Sequence, residues 1–356
     1  MIGRMPDRID LRSDTVTLPT ADMRRAMAVA EVGDDQYGED PSVNRLQEEI
    51  AALLGTAAAL FLPSGTMANQ VALRTLTRPG DDVLVPTESH LVLHETGGGG
   101  ANAGVQFSAI GSGGLFEADV VRAAIKPPGH LVYPPTTLLV AENTHNRAGG
   151  IVFPADELEG ALGVAREHGL ATYLDGARIL NAAVASGRPA AELARGFDLI
   201  GISLSKGLGA PVGSMLAGSV ELIERAHRYR RMAGGAMRQA GILAAAGSYA
   251  LAHHVDRLAE DHANARLLAE ELLRGDDIEL DLSAVQTNIV VFRLVQRRGV
   301  PDAATFVERC RERGVLLNPL GPRTVRAVTH LDVDADQCRA AARVMRHVAD
   351  GATVSA

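Results

Sequence analysis

The chain has 356 residues, 46% of them hydrophobic and 22% charged, enough to bury a substantial core in one large domain with a smaller one beside it. A net charge of −8, no Trp and only 3% aromatic residues leave neither a basic patch nor a stacking platform, which argues against nucleic-acid binding. The opening MIGRMPDRIDLRSD lacks the apolar run of a secretory leader. The most apolar stretch, GILAAAGSYALAHHV, reads as a buried helix rather than a membrane span.

In chain order, PSVNRLQEEIAALLG predicts a helix with Val43, Leu46, Ile50, Leu53 and Leu54 on one face, Asp40 as N-cap, Pro41 as first helical residue and Gly55 as stop. ALFLPSG reads as a buried strand and TMANQVALRTL as the helix after it. Strand-like runs follow at DVLVP, VQFSAIG, TTLLVAEN, ATYLD, DLIGISLS and SMLAGS, with helices at FEADVVRAAI, PADELEGALGVAREHG and AAELARG. This alternation predicts an α/β fold: a large domain with a mostly parallel sheet flanked by helices, over residues 1–245. Beyond residue 220 the long helices ELIERAHRYRR and DRLAEDHANARLLAEELL precede a mixed run of TNIVVFRL, DAATFVERCRERG, TVRAVTHLD and ADQCRAAARVMRHVAD. These predict a small α+β C-terminal domain over 246–356, on which segment 1–30 is able to pack. Cys310 and Cys338 stand alone in sequence, without a CxxC pair, as small buried hydrophobes suited to a reducing cytoplasm.

Of 35 basic residues only two are lysines, Lys126 and Lys206, leaving 33 arginines. Arg serves most surface electrostatics but stays charged, so it cannot form an imine with an aldehyde. Lys126 lies in the polar turn IKPPGH, where a solvated side chain is expected. Lys206 follows an apolar run and precedes Gly-Leu-Gly, which calls for an explanation.

Three features fall at the ends of predicted strands, where open parallel sheets place ligands. LPSGTMAN at 62–69 puts Gly65, Thr66 and Met67 at a helix N-terminus, a site for phosphate, although any strand-to-helix turn favours Gly and Ser. In YLDGARI, Asp175 closes an apolar strand and needs a cation: Arg178 as a structural partner, or a pyridinium nitrogen. In ISLSKGLGAPVGS, burial of Lys206 would lower its pKa and free a nucleophilic amine, while Ser203 and Ser205 could hold the phosphate or orient that amine. Phosphate cradle, aspartate and lysine together are what pyridoxal phosphate (PLP) requires.

The segments IDLRSDTVTLPT, VGDDQYGEDPSVNRLQ, FLPSGTMAN, ENTHN, LDGARI, SLSKGLGAPVGS, GGAMRQAGILAAAG and VRAVTHLD run collinearly from residue 9 to 332. In them the chain resembles the low-specificity L-threonine aldolases, fold-type-I PLP enzymes. The resemblance implies Lys206 as the imine lysine, Asp175 as the pyridinium partner, Gly65 and Thr66 as the phosphate turn, and His90 as the histidine stacked on the cofactor ring. His130 falls where the family has a second active-site histidine, within poorly matched flanks. Ser13, Arg178 and Arg326 match the group that binds the substrate carboxylate. Tyr37 and Arg238 match positions supplied across a subunit interface, with Arg238 directed at the phosphate, and Arg231 stands where relatives often carry Lys. A homotetramer is implied.

The expected reaction is retro-aldol cleavage of L-threonine, L-allo-threonine or a related β-hydroxy-α-amino acid to glycine and an aldehyde. His90 serves as base, with His130 or an ordered water as alternatives. A β-eliminating lyase, aminotransferase or racemase would share the same lysine and aspartate, and a PLP-binding regulator would need a DNA-binding segment that is not visible. Ser203 and Lys206 also fit the SxxK of penicillin-recognising hydrolases, but no lysine follows residue 206 to complete a KTG. His90 and His94 have metal-ligand spacing only if helical, and the GGGG after them predicts a loop, so no catalytic metal is expected.

Overall fold

The computed structural model describes residues 8–297 and 299–350. Seven strands form the large sheet: β1 Ala58–Leu62, β2 Asp82–Pro86, β3 Gln106–Ile110, β4 Thr136–Glu142, β5 Ala171–Asp175, β6 Leu199–Ser203 and β7 Ser214–Gly218. Their spatial order is β1-β7-β6-β5-β4-β2-β3, with β7 antiparallel to both neighbours and every other pairing parallel. Strands β2, β6 and β7 are buried along their whole length, as a sheet covered on both faces demands.

The two-residue period of each strand sorts its side chains into two cores. Leu84, Leu139, Leu174, Ile200 and Ile202 pack with helices Pro41–Leu54, Ala155–Glu167 and Gly241–His253. Their neighbours Val83, Val85, Leu138, Val140, Tyr173 and Leu199 face the other way, onto helices Gly65–Leu76 and Val220–Met232. The caps read from the sequence are in place: Asp40 Oδ1 accepts from Ser42 N and Val43 N, and Gly55 ends the helix at φ 67°. Asp40 also accepts from Gly241 N at 2.8 Å, so one carboxylate joins two helices. A Cβ at Gly241 would sit 2.3 Å from Asp40 Oδ1, which is why glycine stands there.

A third core belongs to the small α+β unit, whose sheet has the order β10-β11-β9-β8, all antiparallel: β8 Ile278–Glu279, β9 Ile289–Leu294, β10 Asn318–Pro319 and β11 Thr324–Val328. Helices Ala303–Glu312 and Ala335–Ala349 pack on it. The change of core falls inside helix Leu258–Leu272: Leu258 packs with the large sheet, and Ala265, Leu268 and Leu272 pack with the small one. The N-terminal segment divides in the same way. Ile9–Asp10 pairs in parallel with Val315–Leu316 and Leu11 enters the small core, while Met23 lies in the large one.

Two expectations are corrected. The chain after Ser89 is not simply a loop, because His90–Leu93 forms a helical turn and Gly99–Ala103 a π-helical one. Lys126 is not a free solvated side chain. It pairs with Asp82 at 2.5 Å and donates to Ser108 Oγ at 3.0 Å, at the N-terminal edge of the large sheet.

Candidate active site

Register brings the strand ends together, with Glu142 opposite Asp175 and Asp175 opposite Gly201. At this C-terminal edge lies a cavity lined by Gly65, Asn69, His90, Glu142, Asn146, Asp175, Arg178 and Lys206, among others. Lys206 sits just beyond β6 with its backbone carbonyl held by Thr17 Oγ1 at 2.9 Å. Burial, reinforced by the Arg178 cation, lowers its amine to about 8 against the partial opposition of Asp14, Asp175 and Glu142.

Asp175, at the end of β5, is buried. Its oxygens accept from Asn69 Nδ2 at 3.1 Å and Ala177 N at 3.3 Å, both neutral donors. The structural partner considered for it, Arg178, is committed elsewhere: Nε and Nη2 grip the two oxygens of Asp14, each at 2.7 Å. Burial would raise the Asp14 carboxyl, but Arg178 and then Lys206 hold it well below the usual carboxylate range. Among the described residues, Asp175 thus faces the cavity without a salt-bridged cation of its own.

Arg326, on β11 of the small unit, reaches the same place from the other side. Its Nη1 donates to Asn146 Oδ1 at 2.9 Å and its Nη2 to Arg12 O at 3.2 Å, while Nε has no partner. Arg178 Nη1 points at the same Asn146 oxygen from 3.4 Å. Burial, with Arg178 adding repulsion, brings the Arg326 guanidinium down to about 10, still charged at neutral pH. Two guanidiniums therefore converge on one neutral oxygen, a place that favours an incoming anion. Ser13 lies beside them, its Oγ accepting from Thr15 N and within 3.5 Å of Asp14 Oδ1.

Ser64 caps helix Gly65–Leu76 by accepting from Met67 N, which leaves the N–H groups of Gly65 and Thr66 at the open helix start. A Cβ built at Gly65 would meet nothing within 4 Å, so the approach to them is open. A depressed amine, a carboxylate without a cation, an open helix start and the imidazole of His90 around one cavity fit a phosphorylated pyridine aldehyde.

Other predicted residues lie outside this cavity. His130 is exposed in a loop, its ring 4.5 Å from that of Tyr133. Tyr37 is 75% exposed, and Arg238 pairs at the surface with Asp34 at 3.2 Å. Arg231 bonds Gln36, whereas the adjacent Arg230 is fully buried against Asp35 and Phe61 O. Sequence reasoning missed Asp14, Asn69, Glu95, Glu142 and Asn146. Four of them lay inside quoted motifs (Asp14 in RSD, Asn69 in GTMAN, Glu142 and Asn146 in ENTHN), but their partners are far away in sequence.

The family described as Beta-eliminating lyase matches residues 10–294. The low-specificity L-threonine aldolase of Escherichia coli O157:H7 is 46% identical over 331 residues, covering 92% of this chain and 96% of that protein. The probable low-specificity L-threonine aldolase 2 of Arabidopsis thaliana is 40% identical, over 92% of this chain and 94% of its own. Among solved structures, the Leishmania major threonine aldolase superposes with a TM-score of 0.81 at 20% identity, covering 96% of this chain and 99% of that one. That last likeness speaks to the fold alone.

Proposed function

We propose that this chain, which belongs to the low-specificity L-threonine aldolase family, cleaves L-threonine, L-allo-threonine and related β-hydroxy-α-amino acids to glycine and an aldehyde. The observation that carries most weight is the meeting of Lys206, Asp175 and Arg178 around one cavity, with Arg326 bonded to Asn146 in its wall. Pyridoxal phosphate, when bound, supplies an aldehyde carbon to which amines attach and a pyridine ring that draws electrons from the substrate Cα.

The chain's own residues account for the rest. Lys206, with its amine lowered to about 8, offers roughly 10²-fold more free amine near neutral pH than an ordinary lysine. Asp175, without a cation, would keep the ring nitrogen protonated. The open N–H groups of Gly65 and Thr66 would hold the phosphate at a positive helix end. Arg326 takes the substrate carboxylate bidentately. Ser13 and the Nη1 edge of Arg178, which has only a long contact of 3.4 Å to Asn146 Oδ1, assist, since the other edge of Arg178 is occupied by Asp14. That grip would orient the substrate beside the bound cofactor, and His90 would accept the β-hydroxyl proton.

The same reading has a second copy of the chain over the cavity, bringing Tyr37 and Arg238 to it in a homotetramer. It is supported by their exposure outside the cavity of their own chain. A cytoplasmic location belongs to it too, and the buried free thiols of Cys310 and Cys338 suit a reducing compartment. The test is to incubate the holoenzyme with L-threonine and measure acetaldehyde with glycine. Release of ammonia and 2-oxobutanoate instead would assign the chain to β-elimination.

A further inference from the structure

Building on the reading of His90 as the base, we propose that Glu95 is its positioning residue. Glu95 fixes the proton on His90 Nδ1 and supplies the counter-charge when the ring is protonated.

Glu95 is only 4% exposed, and its carboxylate is surrounded by donors. Oε1 accepts from Asn69 Nδ2 at 2.6 Å and faces His90 Nδ1 at 3.1 Å, and Oε2 accepts from Gln70 Nε2 at 2.6 Å. The orientation of the Asn69 amide is set independently, because its Oδ1 accepts the Tyr173 hydroxyl at 2.6 Å. Asn69 Nδ2 therefore donates, and it bridges Glu95 to Asp175 Oδ2 at 3.1 Å. A buried carboxylate held only by amides remains short of positive charge. Among the described residues, its one ion-pair partner is His90.

An ionised carboxylate can only accept, so the contact with His90 requires Nδ1–H and leaves Nε2 as the acceptor in the cavity. The same logic orients the imidazole in hydrolytic triads, where an acid behind the ring stabilises the imidazolium that forms. The charged groups facing His90 are Glu95 of its own turn, His94 at a ring distance of 5.4 Å, Glu142 at the end of β4, Asp175 at the end of β5 and Lys206 after β6. Burial lowers the ring, the Glu95 hydrogen bond and the Asp175 charge raise it, and Lys206 opposes them. The balance lies above the ordinary value.

Backbone geometry gives a second line of support. The segment is bracketed by Glu88 at φ 61° and Thr96 at φ 55°, both left-handed without being glycine. For β-branched Thr96 that conformation is an outlier, of the kind that persists where surrounding contacts over-determine a functional turn.

The experiment is ¹⁵N NMR of the holoenzyme labelled at histidine, with the His90 signals identified by their loss in H90N. Wild type should show the Nδ1–H tautomer. In E95Q that bias should disappear and the ring pKa fall by about 1 unit, the scale of losing one adjacent opposite charge. The acid limb of kcat/KM for L-threonine should move down with it. In an H90N background, E95Q should have no further effect on kcat. Should E95Q fail to fold, Q70A serves: with one donor fewer, Glu95 attracts the proton more strongly and the His90 pKa should rise. An unchanged tautomer and pKa in E95Q, or no rise in Q70A, overturns the proposal. Intact turnover in H90N with a shifted tautomer in E95Q would overturn only the assignment of His90 as base.

Discussion

The two lysines mark opposite edges of the large sheet, and the edges solve the same electrostatic problem differently. At the N-terminal edge Asp82 gathers Lys126 at 2.5 Å, Ser108 at 2.7 Å, Gln106 at 3.0 Å and Thr136 at 3.1 Å. Its neighbour Asp81 takes the Thr137 hydroxyl and Arg78 N. The ion pair there, Lys126 with Asp82, is answered within the protein. At the C-terminal edge Asp14 and Arg178 satisfy each other, but among the described residues Lys206, Asp175 and Arg326 have no ion-pair partner. A charge that is partly desolvated and unpaired is costly to keep. Together they make a binding site for complementary groups: an aldehyde carbon for the Lys206 amine, a pyridinium for Asp175 and a carboxylate for Arg326.

Exchanging the lysines for alanine breaks the comparison most sharply. Lys206→Ala should cut L-threonine cleavage on the order of 10³-fold or more, the scale of removing a covalent participant. Lys126→Ala should leave turnover near normal while costing about 1–3 kcal/mol of stability, because Asp82 loses one of several donors. Borohydride reduction of the holoenzyme followed by peptide mapping should label residue 206. A label on Lys126 would reverse the assignment of the two edges.

Next in size is His90→Asn, expected to lower kcat by roughly 10²–10⁴-fold with the cofactor still bound, as general-base removal does. Undiminished turnover would move the base to His130 or to water. Arg326→Ala should then cost about 2–5 kcal/mol in kcat/KM for L-threonine, and Arg326→Lys nearly as much, since an ammonium cannot grip a carboxylate bidentately. Normal kinetics in Arg326→Ala would leave the carboxylate to Ser13 and Arg178.

How much of this was legible in the sequence follows from the range of the interactions. The helix from Pro41 was readable because its signals are local: cap, proline, apolar stripe and glycine lie within a few residues of one another. Asp175 and Lys206 were readable because strand ends mark themselves by the apolar run before them. Asp14 was not, since its meaning depends on Arg178, 164 positions away, and Asn146 depends on Arg326, 180 positions away. Lys126 was misread for the same reason: its turn is polar, but Asp82 folds back to meet it. Glycines 97–100 suggested a loop because helix propensity weighs against them, yet packing overrides propensity there. A Cβ on Gly99 would collide with the Phe107 ring at 2.4 Å, so the close approach itself demands glycine.

The smallest expected effect separates the two edges by pH. In the cofactor-free protein Lys206 has a folded value of about 8, below its ordinary 10.5. Between those values the unfolded chain keeps a proton that the folded chain has released, so stability rises as pH climbs from about 8 to 10.5. Lys206→Ala should flatten that rise. Asp82 acts in the opposite sense: burial would raise its carboxyl, but Lys126, Ser108 and Gln106 together bring it below 3.8. Its contribution is present above 3.8 and disappears as pH falls through the folded value. The Tm gap of a few degrees between wild type and Lys126→Ala at neutral pH should therefore close in acid, whereas the gap between wild type and Lys206→Ala should stay constant below about pH 8 and change only across the alkaline window. Thermal unfolding of the three proteins across both windows checks this. A gap for Lys126→Ala that persists unchanged once the pH has fallen below the folded value of Asp82 would mean that packing of the lysine stem, and not its charge on Asp82, holds the N-terminal edge together.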